Sequence, residues 1–351
     1  MSLPVTIKNI LHEGIAIPAH PLALTAERAF DEAVQRRLTR YYLASGAGGI
    51  AVAVHSTQFE IREPQINLLE KVLYTAADEV EKSGKETFVK VAGICGPTDQ
   101  AVQEARLAKQ YGYHLGLLSM GGLNTLTEDA LIERTKTVAE IIPVFGFYLQ
   151  PAVGGRILSF DFWQKFAAIP NVQAIKIAAF NRYQTLDVVR AVCSSERADE
   201  IALYTGNDDN ILADLMTTYQ FNINGKLVQK DFRGGLLGHW AVWTHKAAAL
   251  LNDVKAYKAG NRSNADEWLT KNVWVTDMNA AIFDPANRFH GCIPGIHEVL
   301  KRQGLLNGIW CLNPNEVLSP GQADEITRVT RAYPELIDDD FVKTFLQQDM
   351  L

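Results

Sequence analysis

Short runs of hydrophobic residues recur along the chain at a regular interval, and each run is followed by a segment with the periodicity of an amphipathic helix. An alternation of strands and helices at this interval is typical of a parallel α/β protein. The strand-like runs begin, 26 to 38 residues apart, near Ile15, Ile50, Phe88, His114, Pro143, Val172 and Ile201.

The first long helical segment illustrates the pattern. Thr25 can cap its start, and Gly46 can end it with a left-handed backbone. The apolar stripe that faces the core is expected to consist of Phe30, Val34, Leu38 and Tyr41.

Seven strand–helix units are followed by an eighth strand around residues 234–238, preceded by a small β-hairpin at Asn224-Gly225. No G-x-G-x-x-G follows the first strand, so a dinucleotide-binding sheet is disfavoured. After about Thr244 the pattern is helical only. The sequence therefore predicts an α/β fold: a (β/α)8 TIM barrel over residues 1–244 and a C-terminal helical domain over residues 245–351.

Charge and composition exclude several classes of protein. The 34 Lys and Arg against 40 Asp and Glu give a net charge of −6, and no basic block is present, so a nucleic-acid partner is not expected. No apolar run is long enough to span a bilayer and the N-terminus lacks a signal pattern, so we expect a cytoplasmic protein with no membrane partner.

The cysteines and histidines show no metal-binding pattern. No C-x-x-C or H-E-x-x-H occurs among the 4 Cys and 8 His, so neither a metal site nor a cofactor is expected. The cysteines, all far apart, are Cys95, Cys193, Cys292 and Cys311.

The most informative chemistry lies in residues 143–180, where two strands flank a helix. Alternation places Tyr148 and Lys176 at strand ends, and Tyr148 is expected to face inward. A lone strand lysine is commonly an amine that reaches solvent or pairs with a carboxylate. Burial could instead lower its pKa by about three units, at a cost of about 4 kcal/mol, and make the amine a nucleophile. A Schiff base at Lys176 with Tyr148 as proton shuttle is the resulting hypothesis.

These residues carry a resemblance. Tyr148-Leu149-Gln150-Pro151 and Ile175-Lys176 resemble, in order and spacing, the tyrosine and lysine motifs of the dihydrodipicolinate synthase and N-acetylneuraminate lyase family. The resemblance implies a class I aldolase on a TIM barrel with a small C-terminal helical domain, acting on pyruvate or another 2-oxo acid. It also implies a homo-oligomer, a dimer or a tetramer.

The same resemblance suggests roles for further residues. Ser56 and Thr57 stand where the family's two threonines bind the 2-oxo acid carboxylate, although hydroxyls here can also satisfy a local turn. Arg156 lies near the position of an arginine that binds the second substrate, or is a solvated loop residue. Gly206 and Asp208 belong to a loop that resembles the family's Ser-Gly-Asp-Asp; Asp208 can also cap a helix.

One departure from the family pattern argues against one of the family's activities. The synthases carry a tyrosine pair after strand four, where this chain has Ser119-Met120-Gly121-Gly122, so dihydrodipicolinate synthase activity itself is disfavoured. We expect a Schiff-base lyase that catalyses aldol cleavage, condensation or dehydration.

Two alternatives remain open at the level of sequence. The chain could be a 2-oxo acid binding or sensing protein without turnover. It could also be a barrel enzyme that binds phosphate through Gly234, Gly235 and Gly238, for which these glycines are weak support.

Overall fold

In the computed structural model, which describes residues 3–260 and 264–349, eight parallel strands form a barrel and helices surround it. The strands are β1 (Ala16–Pro18), β2 (Gly49–Val52), β3 (Val89–Ile94), β4 (Leu115–Leu118), β5 (Val144–Leu149), β6 (Val172–Ala178), β7 (Ala202–Thr205), β8 (Thr218–Ile223) and β9 (Lys226–Leu237). The strand order is β1-β9-β7-β6-β5-β4-β3-β2, and β8 pairs only with β9. A parallel bridge between Ala19 and Ala51 joins the two ends of this order and closes the barrel.

The predicted α/β fold is confirmed, and each of the seven predicted strand starts lies within one residue of the observed start. The helices up to the barrel's end are α1 (Val5–Glu13), α2 (Glu32–Ala44), α3 (Leu69–Lys82), α4 (Thr98–Gln110), α5 (Glu128–Ala139), α6 (Phe160–Ala167), α7 (Arg182–Cys193) and α8 (Ile211–Met216). The later helices are α9 (Thr244–Lys258), α10 (Ala265–Phe283), α11 (Cys292–Arg302), α12 (Gln322–Ala332) and α13 (Asp339–Asp349). The division of the chain into domains at residue 244 stays a prediction.

The hairpin predicted at Asn224-Gly225 is present and explains why strand eight is hard to place from sequence. Both turn residues have positive φ (50° and 81°), as a two-residue turn with the twist of a hairpin requires. The outgoing strand, β9, first pairs antiparallel with β8, and its last residues then enter the barrel between β7 and β1. One long strand therefore serves two sheets.

The predicted start of α2 is wrong by six residues, from a cap at Thr25 to the observed cap at Asp31. The helix begins at Glu32 and is capped by Asp31, whose carboxylate accepts a hydrogen bond from the Val34 N–H at 3.1 Å. Thr25 instead closes a turn, because its N–H donates to the carbonyl of Ala29 at 2.8 Å. The predicted end is confirmed, since Gly46 has φ +90° and directly follows Ser45, the C-cap residue of the helix.

Two hydrophobic layers organise the molecule. Alternate strand residues fill the barrel, and α1 covers its amino-terminal end, because Ile7 and Leu11 of α1 belong to the same buried cluster as the barrel interior. The other strand face packs against the helices in a larger cluster that continues into the C-terminal helices. Within the described residues, no helix combines the length and apolarity needed to cross a lipid bilayer.

A buried ion pair holds the turn after β2 against β3. Arg62 contacts Glu104 at 3.0 Å and also donates to the carbonyls of Ala53 and Gly93 at 2.9 and 3.0 Å. Glu104 accepts a further bond from the Cys95 N–H at 3.0 Å and is 5% exposed. A buried charge with several hydrogen bonds becomes costly once its partner is removed.

We predict that Arg62→Met lowers the free energy of unfolding by about 3–5 kcal/mol, because it leaves the Glu104 carboxylate buried without its cation. Urea unfolding followed by circular dichroism measures the change. The double variant Arg62→Met, Glu104→Gln should recover part of the loss, since a neutral amide is less costly to bury. Equal stability of wild type and Arg62→Met would contradict the prediction.

Candidate active site

A small cavity of about 60 Å³ lies at the carboxyl ends of the barrel strands. Its wall combines residues after β2, β5, β6, β7 and β9 with residues of α10, α11 and the segment between them. Outside it is a wider vestibule of about 480 Å³, and the two share His55, Val153 and Phe289. This is the end of a parallel barrel at which side chains from several strands can converge.

Lys176 projects from β6 into this cavity. It lies between Ala174 and Ala178, which belong to the barrel interior, and only 8% of its surface is exposed. Its Nζ lies 4.5 Å from the centre of the Phe147 ring, which is opposite it on β5. A lysine ammonium over an aromatic face gains some stabilisation, but less than full hydration provides.

Burial lowers the pKa of Lys176, and the negative charge of Asp208 partly opposes that effect. Asp208, 5% exposed, lines the same cavity, and burial raises its pKa while Lys176 lowers it. Its Oδ1 accepts a hydrogen bond from the His239 N–H at 3.0 Å, which ties the turn after β7 to the turn after β9. A buried amine and a buried carboxyl of one cavity therefore have pKa values shifted toward each other.

Gly206 is required by the Lys176 side chain. A Cβ at this position would lie 2.5 Å from Lys176 Cε and 2.9 Å from Ala178 Cβ, so only glycine fits. The Gly206 N–H donates to the Ile177 carbonyl at 2.7 Å, which holds the turn against β6.

The turn after β7, which contains Gly206, is also held in place by Asp214, a fully buried residue. Asp214 accepts hydrogen bonds from Thr205 Oγ1 and from Asn207 Nδ2, both at 2.8 Å. Asn207 Oδ1 in turn accepts from the Phe180 N–H at 3.0 Å, which joins the turns after β6 and β7.

Ser56 and Thr57 occupy a short 3₁₀ turn directly after β2, at residues 55–57. Ser56 lines the cavity, and its hydroxyl donates to the Ala19 carbonyl at 2.8 Å. Thr57 is fully buried, its hydroxyl donating to the His20 carbonyl at 2.7 Å. The structure therefore brings Ser56 to the site and gives Thr57 the turn-stabilising role that sequence analysis left open.

The expectation that Tyr148 faces the barrel interior is wrong. Phe145, Phe147 and Leu149 fill the interior, so alternation directs Tyr148 outward. Its ring packs 5.3 Å from the Trp163 ring of α6, and its hydroxyl oxygen lies 3.5 Å from the Leu158 N–H. The Tyr148 phenol thus lies outside the barrel wall, whereas the Lys176 side chain lies inside it. The alternation of side chains along β5 is as predicted, but the face that points into the barrel is the opposite one.

Arg156 is also placed away from the cavity, contrary to expectation. Its guanidinium donates to the carbonyls of Leu123 and Leu126 at 2.9 and 3.0 Å. It therefore joins the loop after β5 to the loop after β4. The guanidinium is neither a cavity group nor a freely solvated one.

Two of the polar side chains at the cavity, His55 and Gln150, are given no role by the sequence analysis. Neither side chain forms a hydrogen bond with another residue of the described ranges 3–260 and 264–349. Both immediately follow or adjoin strand ends, the positions where barrel enzymes carry their chemistry, and that signal could have identified them.

The phosphate-binding alternative loses the support of two of its three glycines, while the third, Gly238, follows β9 and lines the cavity. Gly234 and Gly235 lie within β9 and not in a loop, and a Cβ on Gly234 would lie 2.2 Å from the Ile15 carbonyl oxygen. Close packing against the Ile15 backbone and the Trp240 side chain explains these two glycines. In the part of the chain that the structure describes, no group of three or more His, Cys, Asp or Glu side chains is arranged to hold a metal ion.

Comparisons with known proteins agree with this architecture. The model of the Dihydrodipicolinate synthetase family matches residues 15–332. No curated protein sequence matches significantly. Among solved structures, the chain is similar to dihydrodipicolinate synthase from Oceanobacillus iheyensis, with 17% identity, a TM-score of 0.73, and coverage of 93% of this chain and 99% of that one.

Two further solved structures give the same result. For dihydrodipicolinate synthase from Aquifex aeolicus the identity is 19% and the TM-score 0.71, with 93% and 99% of the two chains covered. For N-acetylneuraminate lyase from Fusobacterium nucleatum the identity is 15% and the TM-score 0.70, with 92% and 99% covered. The family match extends over nearly the whole chain, and the family resemblance is confirmed: the chain belongs to the dihydrodipicolinate synthetase family.

Proposed function

We propose that the protein is a class I lyase that forms a Schiff base between Lys176 and pyruvate or another 2-oxo acid. The observation that carries the proposal is a buried amine, with its pKa lowered by burial, in a small cavity at the carboxyl ends of the barrel strands. Family membership supports the same chemistry. Aldol cleavage, aldol condensation and dehydration all use such an intermediate.

The cavity favours the form of lysine that reacts. An amine attacks a carbonyl only when neutral, and burial increases the neutral fraction near pH 7. Loss of water from the resulting carbinolamine gives a protonated imine, which accepts electron density when a bond to the neighbouring carbon breaks. Phe147 provides a ring face against which the cationic imine can lie.

The turn at residues 55–57 is the proposed site for the substrate carboxylate. Ser56 lines the cavity with a hydroxyl that now donates to a backbone carbonyl and can turn toward an anion. Thr57 would hold the turn in place. Gln150, also at the cavity wall, can donate an amide hydrogen bond to a substrate oxygen.

A 2-oxo acid binding or sensing protein is the second candidate. One observation favours it: the Tyr148 phenol, the expected proton shuttle, lies on the outer face of β5. A protein that binds pyruvate without moving a proton to or from the carbon next to its carbonyl group would need no phenol inside the barrel. In either case family membership supports a homo-oligomer, a dimer or a tetramer, as the assembly.

Incubation with pyruvate and borohydride should produce a reduced adduct on Lys176, identified by intact-mass and peptide-mapping spectrometry. Lys176→Met should abolish the adduct, because no other amine lines the cavity in the described part of the chain.

Lys230 provides a matched control for that experiment. Burial lowers its pKa to about 8, but it lies outside the cavity, so Lys230→Met should leave the adduct unchanged. Equal modification of both lysines would show that a lowered pKa alone explains the reaction. Absence of any adduct with pyruvate and a panel of 2-oxo acids would contradict the lyase proposal.

Gly206→Ala should slow adduct formation by about 100-fold, since the new methyl group displaces the Lys176 side chain, and a shift of about 1 Å is enough for such an effect. The rate of trapping by cyanoborohydride measures it, with thermal unfolding as the check of folding. A folded variant that reacts at the wild-type rate would refute the proposed contact.

Asp208→Asn should shift the pH midpoint of trapping to lower pH. The Asp208 carboxylate raises the pKa of Lys176, so its removal lowers that pKa and the amine becomes neutral at lower pH. The Asn side-chain oxygen can still accept from the His239 N–H. A midpoint that stays in place or moves to higher pH would be inconsistent with the assigned coupling.

A further inference from the structure

Because the Tyr148 phenol lies outside the barrel, the cavity needs another side chain to transfer protons. If Lys176 forms an imine, bond making or breaking at the next carbon needs a group that takes and returns a proton. Among the described residues, the titratable side chains that line the cavity, apart from Lys176 itself, are His55, Asp208 and Cys292.

Asp208 already has other partners, and Cys292 is poorly suited to the step. Asp208 already accepts a hydrogen bond at Oδ1 from the His239 N–H, and its charge interacts with Lys176. Burial raises the pKa of the Cys292 thiol, so its thiolate form is scarce. This leaves the imidazole of His55.

His55 is held at the cavity by a rigid turn. Ala53 and Gln58, on either side of the turn, have φ of +61° and +67°, a strained backbone for residues other than glycine. The strain is maintained by hydrogen bonds, including one from Arg62 to the Ala53 carbonyl at 2.9 Å and one from the Leu312 N–H to Gln58 Oε1 at 2.6 Å. Strained backbone that the surroundings enforce is commonly found at functional sites.

The imidazole itself is free to act. Its nitrogens form no hydrogen bond with another residue within 3–260 and 264–349, whereas its ring is positioned against Phe59 with 5.9 Å between ring centres. His55 lines both the inner cavity and the vestibule, so it lies where the two spaces meet.

We propose that His55 is the catalytic base and acid at the substrate carbon next to the imine. The proposal rests on the proposed function, because it needs the imine at Lys176. In the forward direction the carbon–hydrogen bond breaks, its proton passes to the imidazole, and its electron pair forms the carbon–carbon double bond of an enamine. The imine nitrogen becomes neutral and the imidazole becomes imidazolium. Return of the proton to the carbon reverses each change.

The electrostatic setting keeps the imidazole in its unprotonated form. Burial and the nearby charge of Lys176 lower the pKa of His55 to about 4, so the imidazole is neutral at pH 7 and able to accept a proton. Asp208 and the vestibule carboxylates Glu60, Glu63 and Glu316 are the acidic groups that share its surroundings.

The test measures two steps on one sample. Pyruvate is incubated with the protein in D2O; proton NMR follows exchange of its methyl hydrogens, and borohydride trapping with peptide mapping reports the imine at Lys176. His55→Phe, which keeps a planar ring without nitrogen, should retain the trapped imine and slow exchange by at least about 100-fold. Tyr148→Phe, altered outside the cavity, should match wild type in both measurements.

The other outcomes overturn the assignment. Undiminished exchange in His55→Phe shows that another group moves the proton, and loss of exchange in Asp208→Asn with His55→Phe unaffected identifies that group as Asp208. Loss of the imine itself in a folded His55→Phe variant shows that His55 acts before the enamine step. If His55→Phe does not fold, His55→Gln is used with the same criteria. Failure of wild type to form the imine refutes the proposed function and is distinguishable from all of these.

Discussion

The structure depends on keeping the Lys176 amine out of water in the interior of a barrel. An ammonium in that position loses hydration that Phe147 and Asp208 replace only in part, and the consequence is a lowered pKa. The surrounding positions serve this arrangement. Gly206 is small because the lysine stem passes against it, and Ala178 is the other close neighbour of that stem.

The C-terminal part of the chain completes the enclosure. Phe283, Phe289 and Ile296 line the cavity from α10, α11 and the segment between them. That segment is held by Asp284, which accepts hydrogen bonds from Ser319 Oγ at 2.5 Å and from the Gly291 N–H at 3.1 Å. A barrel alone would leave the cavity open, so the helical segments contribute directly to the low polarity around the amine.

Strand positions could be predicted from sequence because each buried strand is a short apolar run with polar residues on both sides. Residues at strand ends were harder to assign, as Tyr148 shows. In a strand that is buried on both faces the apolar pattern does not distinguish the inside of the barrel from the helix-facing side. Phe147 and Tyr148 are equally compatible with either face, and the decision depends on Trp163 of α6, which offers Tyr148 a packing partner.

Contacts distant in sequence account for the other differences. Arg156 donates hydrogen bonds to carbonyls that lie 33 and 30 residues away along the chain. No local sequence pattern predicts such partners for a loop arginine. The role proposed for His55 rests on ring nitrogens that form no hydrogen bond within residues 3–260 and 264–349, and on its place in the walls of both spaces, which only a three-dimensional arrangement shows. Lys176, by contrast, could be found from sequence because a charged residue in an apolar strand is itself unusual.

A crystal structure of the protein after reduction with borohydride in the presence of pyruvate tests the central claim most directly. The account predicts continuous density from Lys176 Nζ to the second carbon of the ligand, its carboxylate at the Ser56 turn, and the His55 ring beside the third carbon. Tyr148 should remain packed on Trp163. Density for pyruvate elsewhere, or an unmodified Lys176 in crystals of fully folded protein, would contradict it.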